Sequence, residues 1–271
     1  MKATALIVSI CPLVIFHLFS IFLCNNSRAQ SISSASNLSL NHGGAAGAPL
    51  SSILEIPVAD VDSSTRTFFA TIRNDYSLSE LSYGMIGAIF PLQDQSIGLG
   101  VSHFGFADYG LTNVHTAISK SIHEKIRIGT ALTFSQLRII EQTPKHSFKI
   151  TVAGRFDLSN DLKTAILIDH FLSPEGTYNM LNQFGISYCH ESDWIVFLDL
   201  RKQANNSPEV ISSLKYTIEK DLAILFSVSS FQNIAGGLSL SHGAINYDLG
   251  IKFHRRLGLT AALTLSYQLR Q

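Results

Sequence analysis

Period two dominates the chain from Arg66 almost to its last residue, and no other feature restricts the possible folds as much. In the final segment Leu257, Leu259, Ala261, Leu263, Leu265, Tyr267 and Leu269 alternate with Gly258, Thr260, Ala262, Thr264, Ser266 and Gln268. The segment before it sets Ile245, Tyr247, Leu249, Ile251 and Phe253 against Asn246, Asp248, Gly250, Lys252 and His254. Successive side chains of a strand point to opposite faces, so each segment has one greasy and one polar face. A helix would scatter the same residues around its circumference.

The scheme recurs upstream. Phe148, Ile150, Val152 and Phe156 oppose Lys149, Thr151, Ala153, Arg155 and Asp157, and Ile126, Ile128 and Leu132 oppose Arg127, Gly129, Ala131 and Thr133. Val210, Leu214, Tyr216 and Ile218 oppose Ser213, Lys215 and Thr217. Trp194, Val196, Leu198 and Leu200 oppose Asp199 and Arg201, with Ile195 and Phe197 blurring the start of that strand. The rhythm is weakest over 68–74 and 236–241. Altogether it gives about fourteen strands of roughly nine to twelve residues, long enough to cross a bilayer at a tilt.

Connections carry a second signal. Tight ones such as Leu92-Gln93-Asp94, His123-Glu124 and Glu219-Lys220 alternate with longer ones such as Glu141 to His146 and Phe171 to Asn179. Outer-membrane barrels show this asymmetry between their two ends. Pro91, Pro144, Pro174 and Pro208 fall at strand ends or in loops, where no ladder hydrogen bond is lost. Composition agrees, since only 15% of residues are charged while 46% are hydrophobic, the balance of a wall that turns alternate side chains to lipid. Unpaired backbone in lipid costs several kcal/mol per group, so such a sheet has to close. The reading is an all-β, transmembrane antiparallel barrel over 66–271; an exported soluble sandwich is its rival.

The N-terminus has a different character. Lys2 precedes an apolar run from Ala3 to Cys24, and Ser27 and Ala29 occupy the small-residue positions of a cut before Gln30, which makes 1–29 a secretory signal peptide. An uncleaved anchor is the competing reading, and Pro12 and His17 count against it. Residues 30–65 are small and polar without periodicity, which fits either a flexible leader or a plug inside the barrel. After cleavage Cys189 is alone, and no disulfide framework exists.

Catalytic and cofactor constellations are missing. The ten histidines lack HxxxH or HExxH spacing, Ser229, Ser230 and Ser239 lack a nucleophile elbow, and Gly43-Gly44-Ala45-Ala46-Gly47 lacks the lysine and serine of a phosphate loop. Lys+Arg and Asp+Glu are 20 each, which leaves no surplus to draw nucleic acid. Gly98 and Gly100 fall within strands and read as close strand packing. What remains is the polar face: Arg127, Arg155, Asp157, Asp199, Arg201, Lys215, Asp248 and Lys252 should face the lumen, pairing across it or lining a path. Tyr76, Tyr83, Tyr109, Tyr178, Tyr188, Trp194 and Tyr267 read as interfacial girdles.

Three stretches carry a family resemblance: Asn74-Asp75-Tyr76-Ser77-Leu78-Ser79-Glu80-Leu81, Gly98-Leu99-Gly100-Val101-Ser102-His103-Phe104-Gly105-Phe106 with Tyr109, and Ile126 to Phe134. Together they resemble the PorV/PorQ family of outer-membrane proteins associated with type IX secretion. The resemblance covers about Thr67 to Ile140 and implies a barrel similar to the long-chain fatty-acid transporter fold with a short N-terminal plug. The chain departs from the family's Asn-Pro-Ala-Gly-like motif, offering Gly47-Ala48-Pro49-Leu50 and Ile56-Pro57-Val58-Ala59 instead. The implied role is a non-enzymatic accessory or scaffold whose loops bind secretion-machinery proteins and whose wall contacts outer-membrane lipid. The alternative is an outer-membrane transporter for hydrophobic small molecules. Neither reading requires a cofactor or a metal.

Overall fold

Alternation on the page becomes a continuous wall in space. The computed structural model describes residues 34–42, 44–47, 52–59, 65–172, 179–190, 193–204 and 206–270; the expected signal peptide, Tyr178 and the first residues of the expected leader lie outside this set. The strands are β1 (Thr65–Asn74), β2 (Ser82–Leu92), β3 (Gln95–Gly105), β4 (Tyr109–His123), β5 (Ile126–Ile139), β6 (Lys145–Asp157) and β7 (Leu162–Leu172), continuing with β8 (Asn179–His190), β9 (Trp194–Gln203), β10 (Glu209–Glu219), β11 (Leu222–Ser229), β12 (Ile234–His242), β13 (Ile245–His254) and β14 (Gly258–Arg270). Each pairs antiparallel with its sequence neighbours, and β1 closes onto β14 from Thr65↔Arg270 to Asn74↔Ala261. The fourteen strands therefore leave no edge, and the ladder runs round the ring with irregularities at Ile122 and Ile218.

The greasy face points outward. Along β14, Leu259, Leu263, Leu265 and Tyr267 are exposed, while Thr260, Ala262, Thr264 and Ser266 are buried inside. Large apolar residues stay open all around the wall, among them Ile72, Ile86, Val152, Leu198, Phe226 and Ile251. A soluble protein does not leave such a continuous apolar surface in water. Tight connections at 93–94, 124–125, 220–221 and 243–244 share one end, the short-turn end, and wider ones such as 75–81 and 140–144 share the other, the loop end.

The expected aromatic girdle needs correction at two positions. Tyr83 is 4% exposed and points inward, and Tyr109 packs against the same internal cluster, so neither belongs to an interfacial girdle. Tyr188, Trp194 and Tyr267 are exposed on the outside near the short-turn end, and Trp194 lies 4.2 Å from Tyr216, ring centre to ring centre. The weak stretches 68–74 and 236–241 both form strands. Their alternation was blurred because Phe69 and Gly237 face a lumen that is not filled with water.

Candidate functional site: a lumen filled by the N-terminal segment

Residues 34–42 and 44–47 lie against β8–β14, with Ala45 and Ala46 also reaching Ala165 of β7. Helix α1 (Ala35–Ser39) is so short that its first N–H groups and its last carbonyls have no partner within it. Ser34 caps it, its Oγ accepting from the Asn37 N–H at 3.3 Å. The wall supplies the rest. The Ala35 N–H donates to Thr264 Oγ1 at 2.9 Å, and the hydroxyls of Ser227 and Ser213 donate to the carbonyls of Ser39 and Leu40 at 2.8 and 3.3 Å. Asn41 donates to Ser227 Oγ, and Gln183 donates to the His42 carbonyl. Asp199 is the anchor: its carboxylate accepts from the Gly44 N–H at 2.6 Å, the Ala45 N–H at 3.1 Å and Gln183 Nε2 at 3.0 Å. Gly44 has φ +79°, and this turn aims two successive N–H groups at one anion.

Residues 52–59 lie against β1–β7 and use a different chemistry. Ile53, Leu54, Ile56, Val58 and Ala59 are buried in one cluster with Phe69, Tyr83, Met85, Ile89 and Phe104 of the wall. Small inward residues such as Ala117, Ala131 and Ala153 make the room. The insert comes closest at Gly129 and Gly237, where a Cβ would stand 2.1 Å from the Pro57 carbonyl oxygen and from Ser39 Oγ, and nearly as close at Gly250, 2.3 Å from the Ala35 carbonyl oxygen. Gly98 and Gly100 likewise face Leu54, so they accommodate the inserted segment rather than only neighbouring strands.

Two contacts stitch the halves of the insert together. Glu55 accepts from the Asn37 side-chain amide, and the hydroxyls of Ser34 and Ser52 lie 3.4 Å apart. Burial inside the ring of strands pushes the Glu55 carboxyl up to about 8, although Lys149, Asn37 and Arg73 pull it down. His42 is held well below its usual range by burial and by the cations Lys252, Arg201 and Arg73.

The eight polar residues singled out from sequence are dispersed along the inner face. Arg127 donates to the Ala59 carbonyl at 2.8 Å, and Arg155 reaches the Val58 carbonyl at 3.4 Å while pairing with Asp157 at 3.1 Å. Asp199 anchors the Gly44 turn. Arg201 pairs with Glu209, its Nε lying 3.0 Å from Oε2. Asp248 accepts from Ser239 at 2.6 Å. Lys215 lines a cavity beside Asp248, and Lys252 faces His42. They do not converge on a single point. Pattern reading missed the hydroxyls of Ser213, Ser227 and Thr264 and the amide of Gln183, because small polar residues on an inner face look alike whether they meet water or backbone. Phe197 did carry a signal: an aromatic in a polar register, here packed beside Leu40 and Gly47.

A closed wall, apolar outside and occupied inside by an N-terminal insert, is now on the page. The chain has the barrel fold of outer-membrane channels. It superposes on the CymD monoaromatic hydrocarbon channel with a TM-score of 0.63 at 9% identity, over 88% of this chain and 97% of that one. The Pseudomonas putida toluene transporter TodX gives 0.61 at 9% identity, over 91% and 99%. At this identity the likeness is one of fold. No family model matches the sequence, and no curated protein matches it by sequence.

Proposed function

We propose that the chain is a non-enzymatic channel of a bacterial outer membrane that passes hydrophobic small molecules around or past a movable N-terminal insert. One observation carries this reading: the inner face of β1–β7 buries Phe69, Met85, Ile89 and Phe104. A barrel for water-soluble solutes keeps a polar interior. Here the apolar stripe is covered by Ile53, Leu54 and Ile56, so shifting 52–59 would expose a greasy path through the wall's interior. The structural neighbours, a monoaromatic hydrocarbon channel and a toluene transporter, fit that chemistry. A type IX secretion role rests on the PorV/PorQ resemblance alone, and nothing about the lumen favours it.

The test is uptake of labelled toluene by cells expressing the full chain in a background without its own hydrocarbon channel. Uptake should rise above the empty-vector rate, and neutral sugars should not follow. A correctly folded barrel, shown by altered gel mobility before boiling, that leaves toluene uptake unchanged would overturn the proposal.

A further inference from the structure

The lipid-facing wall is notched at its loop end. Gly84 of β2 pairs with Ile72 of β1, and Ala261 of β14 pairs with Asn74, so two positions with little or no side chain flank β1. Both face outward, since Tyr83, Met85, Thr260 and Ala262 beside them are buried inside. They leave a groove of about 660 Å³, walled by Ile72, Leu249 and Leu263 and rimmed by Asn74, Ser82 and His103. A Cβ added at Gly84 would meet nothing within 4 Å, so the space there is open.

Above β14, the turn between His254 and Gly258 places Arg255 and Arg256 where the greasy wall ends. Phe253 and Leu257, on either side of the pair, are exposed, as are Phe231 and Ile234 beside the neighbouring β11–β12 turn. From Leu257 to Tyr267 the chain advances ten residues, about 33 Å along the strand. At the usual tilt that is about 25 Å across the membrane, the height of the apolar band. With Tyr267 at one interface, the two arginines stand at headgroup level of the other. Barrels of this kind turn their longer loops outward, so that interface belongs to the outer leaflet.

Neither arginine meets a carboxylate. Arg255 donates to the Gln232 side-chain carbonyl, a neutral acceptor, and the Arg256 side chain has no hydrogen bond or ion pair among the described residues. Of the connections on either side, 230–233 contains no acid, and 75–81 contains Asp75 and Glu80. Asp75 is paired with Arg73 at 2.9 Å, and Glu80 lies on a 3-10 turn that packs toward β3, beyond β2. The same loop ties the turn to the groove. The Tyr76 ring lies 6.2 Å from that of His254, and the Ser77 hydroxyl donates to the Leu259 carbonyl at 3.4 Å.

We propose that this corner of the wall holds one phosphate-bearing lipid of the outer leaflet, its phosphate at Arg255 and Arg256 and one hydrocarbon chain in the groove at Gly84 and Ala261. The guanidinium fork matches phosphate oxygens, and Ala261 lies four residues below Leu257, about 13 Å, within reach of a chain that hangs from a headgroup at the turn. A second copy of the chain suits the corner less well, because a two-fold contact here would bring both arginine pairs together. The inference rests on the wall's facing lipid and not on what the lumen passes.

Native mass spectrometry of the full chain, released from micelles doped with dioleoyl phosphatidic acid or with dioleoylglycerol, tests it. One phosphatidic acid should be retained at about tenfold lower concentration than its phosphate-free twin, as two surface cations predict. The double variant Arg255→Gln, Arg256→Gln should abolish that preference, and the double change to lysine should keep most of it. Gly84→Leu, which fills the groove, should weaken both lipids several-fold and leave the preference intact. Where altered gel mobility shows that the double glutamine variant has not folded, Arg256→Gln alone is read and should cut the preference about threefold. Equal retention of the two lipids, a preference that survives these substitutions, or binding untouched by Gly84→Leu would overturn the proposal. So would displacement of the lipid by millimolar inorganic phosphate, which reduces the site to a phosphate pocket, or a lipid-free dimer, which gives the groove to a second copy.

Discussion

The two halves of the lumen hold the same inserted segment by opposite means. Against β1–β7 the contact is mainly apolar, with Arg127 and Arg155 reaching the carbonyls of Ala59 and Val58, and against β8–β14 hydroxyls, one amide and one carboxylate directed at backbone groups outnumber the small apolar contacts of Leu38 and Leu40. Apolar contact is non-directional: it tolerates sliding and rotation while the area stays buried. A short helix held by individual hydrogen bonds has no such tolerance, because each unmade bond strands a buried group. The β8–β14 side is thus built to fix the register of the insert, and the β1–β7 side to let 52–59 leave as a unit. Under the proposed hydrophobic route, the half that can open is the half with the matching chemistry.

The comparison breaks most visibly at Gly129. Gly129→Val puts a branched side chain where the Pro57 carbonyl lies 2.1 Å from the first added carbon, and that backbone has to move. Residues 52–59 should be displaced outright while the wall persists. Hydrogen exchange should show loss of protection confined to this segment, with altered gel mobility retained. Protection lost equally over 35–45 would show that the halves do not act separately. Next in size is Leu54→Ala, for which the cavity left against Gly98 and Gly100 costs about 3 kcal/mol. Local opening of 52–59 should become over a hundredfold more frequent by the same exchange measurement.

On the other side Asp199→Asn keeps the shape and removes the charge. The Gly44 and Ala45 N–H groups then compete for one carbonyl oxygen, and about 2 kcal/mol of anchoring is lost. Exchange at Gly44 and Ala45 should accelerate while Ile53 and Leu54 keep their protection. If the two segments loosen together in both variants, the division of labour is wrong.

The wall was legible in the sequence because strand alternation is local: each residue's face is fixed by its neighbours, whatever lies elsewhere in the chain. Even the exceptions were visible. Ile195 and Phe197 spoil the polar face of β9 because that face meets Leu40 rather than water. The insert's seating was not legible, since it depends on pairs far apart in the chain. Nothing near Gly129 announces Pro57, and nothing near Asp199 announces Gly44. The tract Gly43-Gly44-Ala45-Ala46-Gly47 was set aside for lacking a phosphate loop's side chains. Its backbone does hold an anion, but that anion is a carboxylate of the chain itself. Backbone donors leave no mark in a side-chain pattern, so Asp199 could be placed on the lumen face without its partner being foreseen.

The smallest effect concerns the seam between the halves. Glu55 belongs to the apolar side but hydrogen-bonds Asn37 on the polar side, and its carboxyl titrates at about 8, against an ordinary value of 4.5. A carboxyl raised in the folded state favours its protonated form there. Its contribution to docking is therefore complete below about pH 4.5, declines as pH rises and is gone above about 8. The opposing pull of Lys149 and Arg73 and the side chain's partial exposure keep the effect modest. Exchange of the Ile53 and Leu54 amides, corrected for the intrinsic rate, should quicken between pH 5 and 8.5, and Glu55→Gln should flatten that slope. A slope that survives Glu55→Gln would move the pH dependence to His42 or the wall and remove Glu55 from the seam.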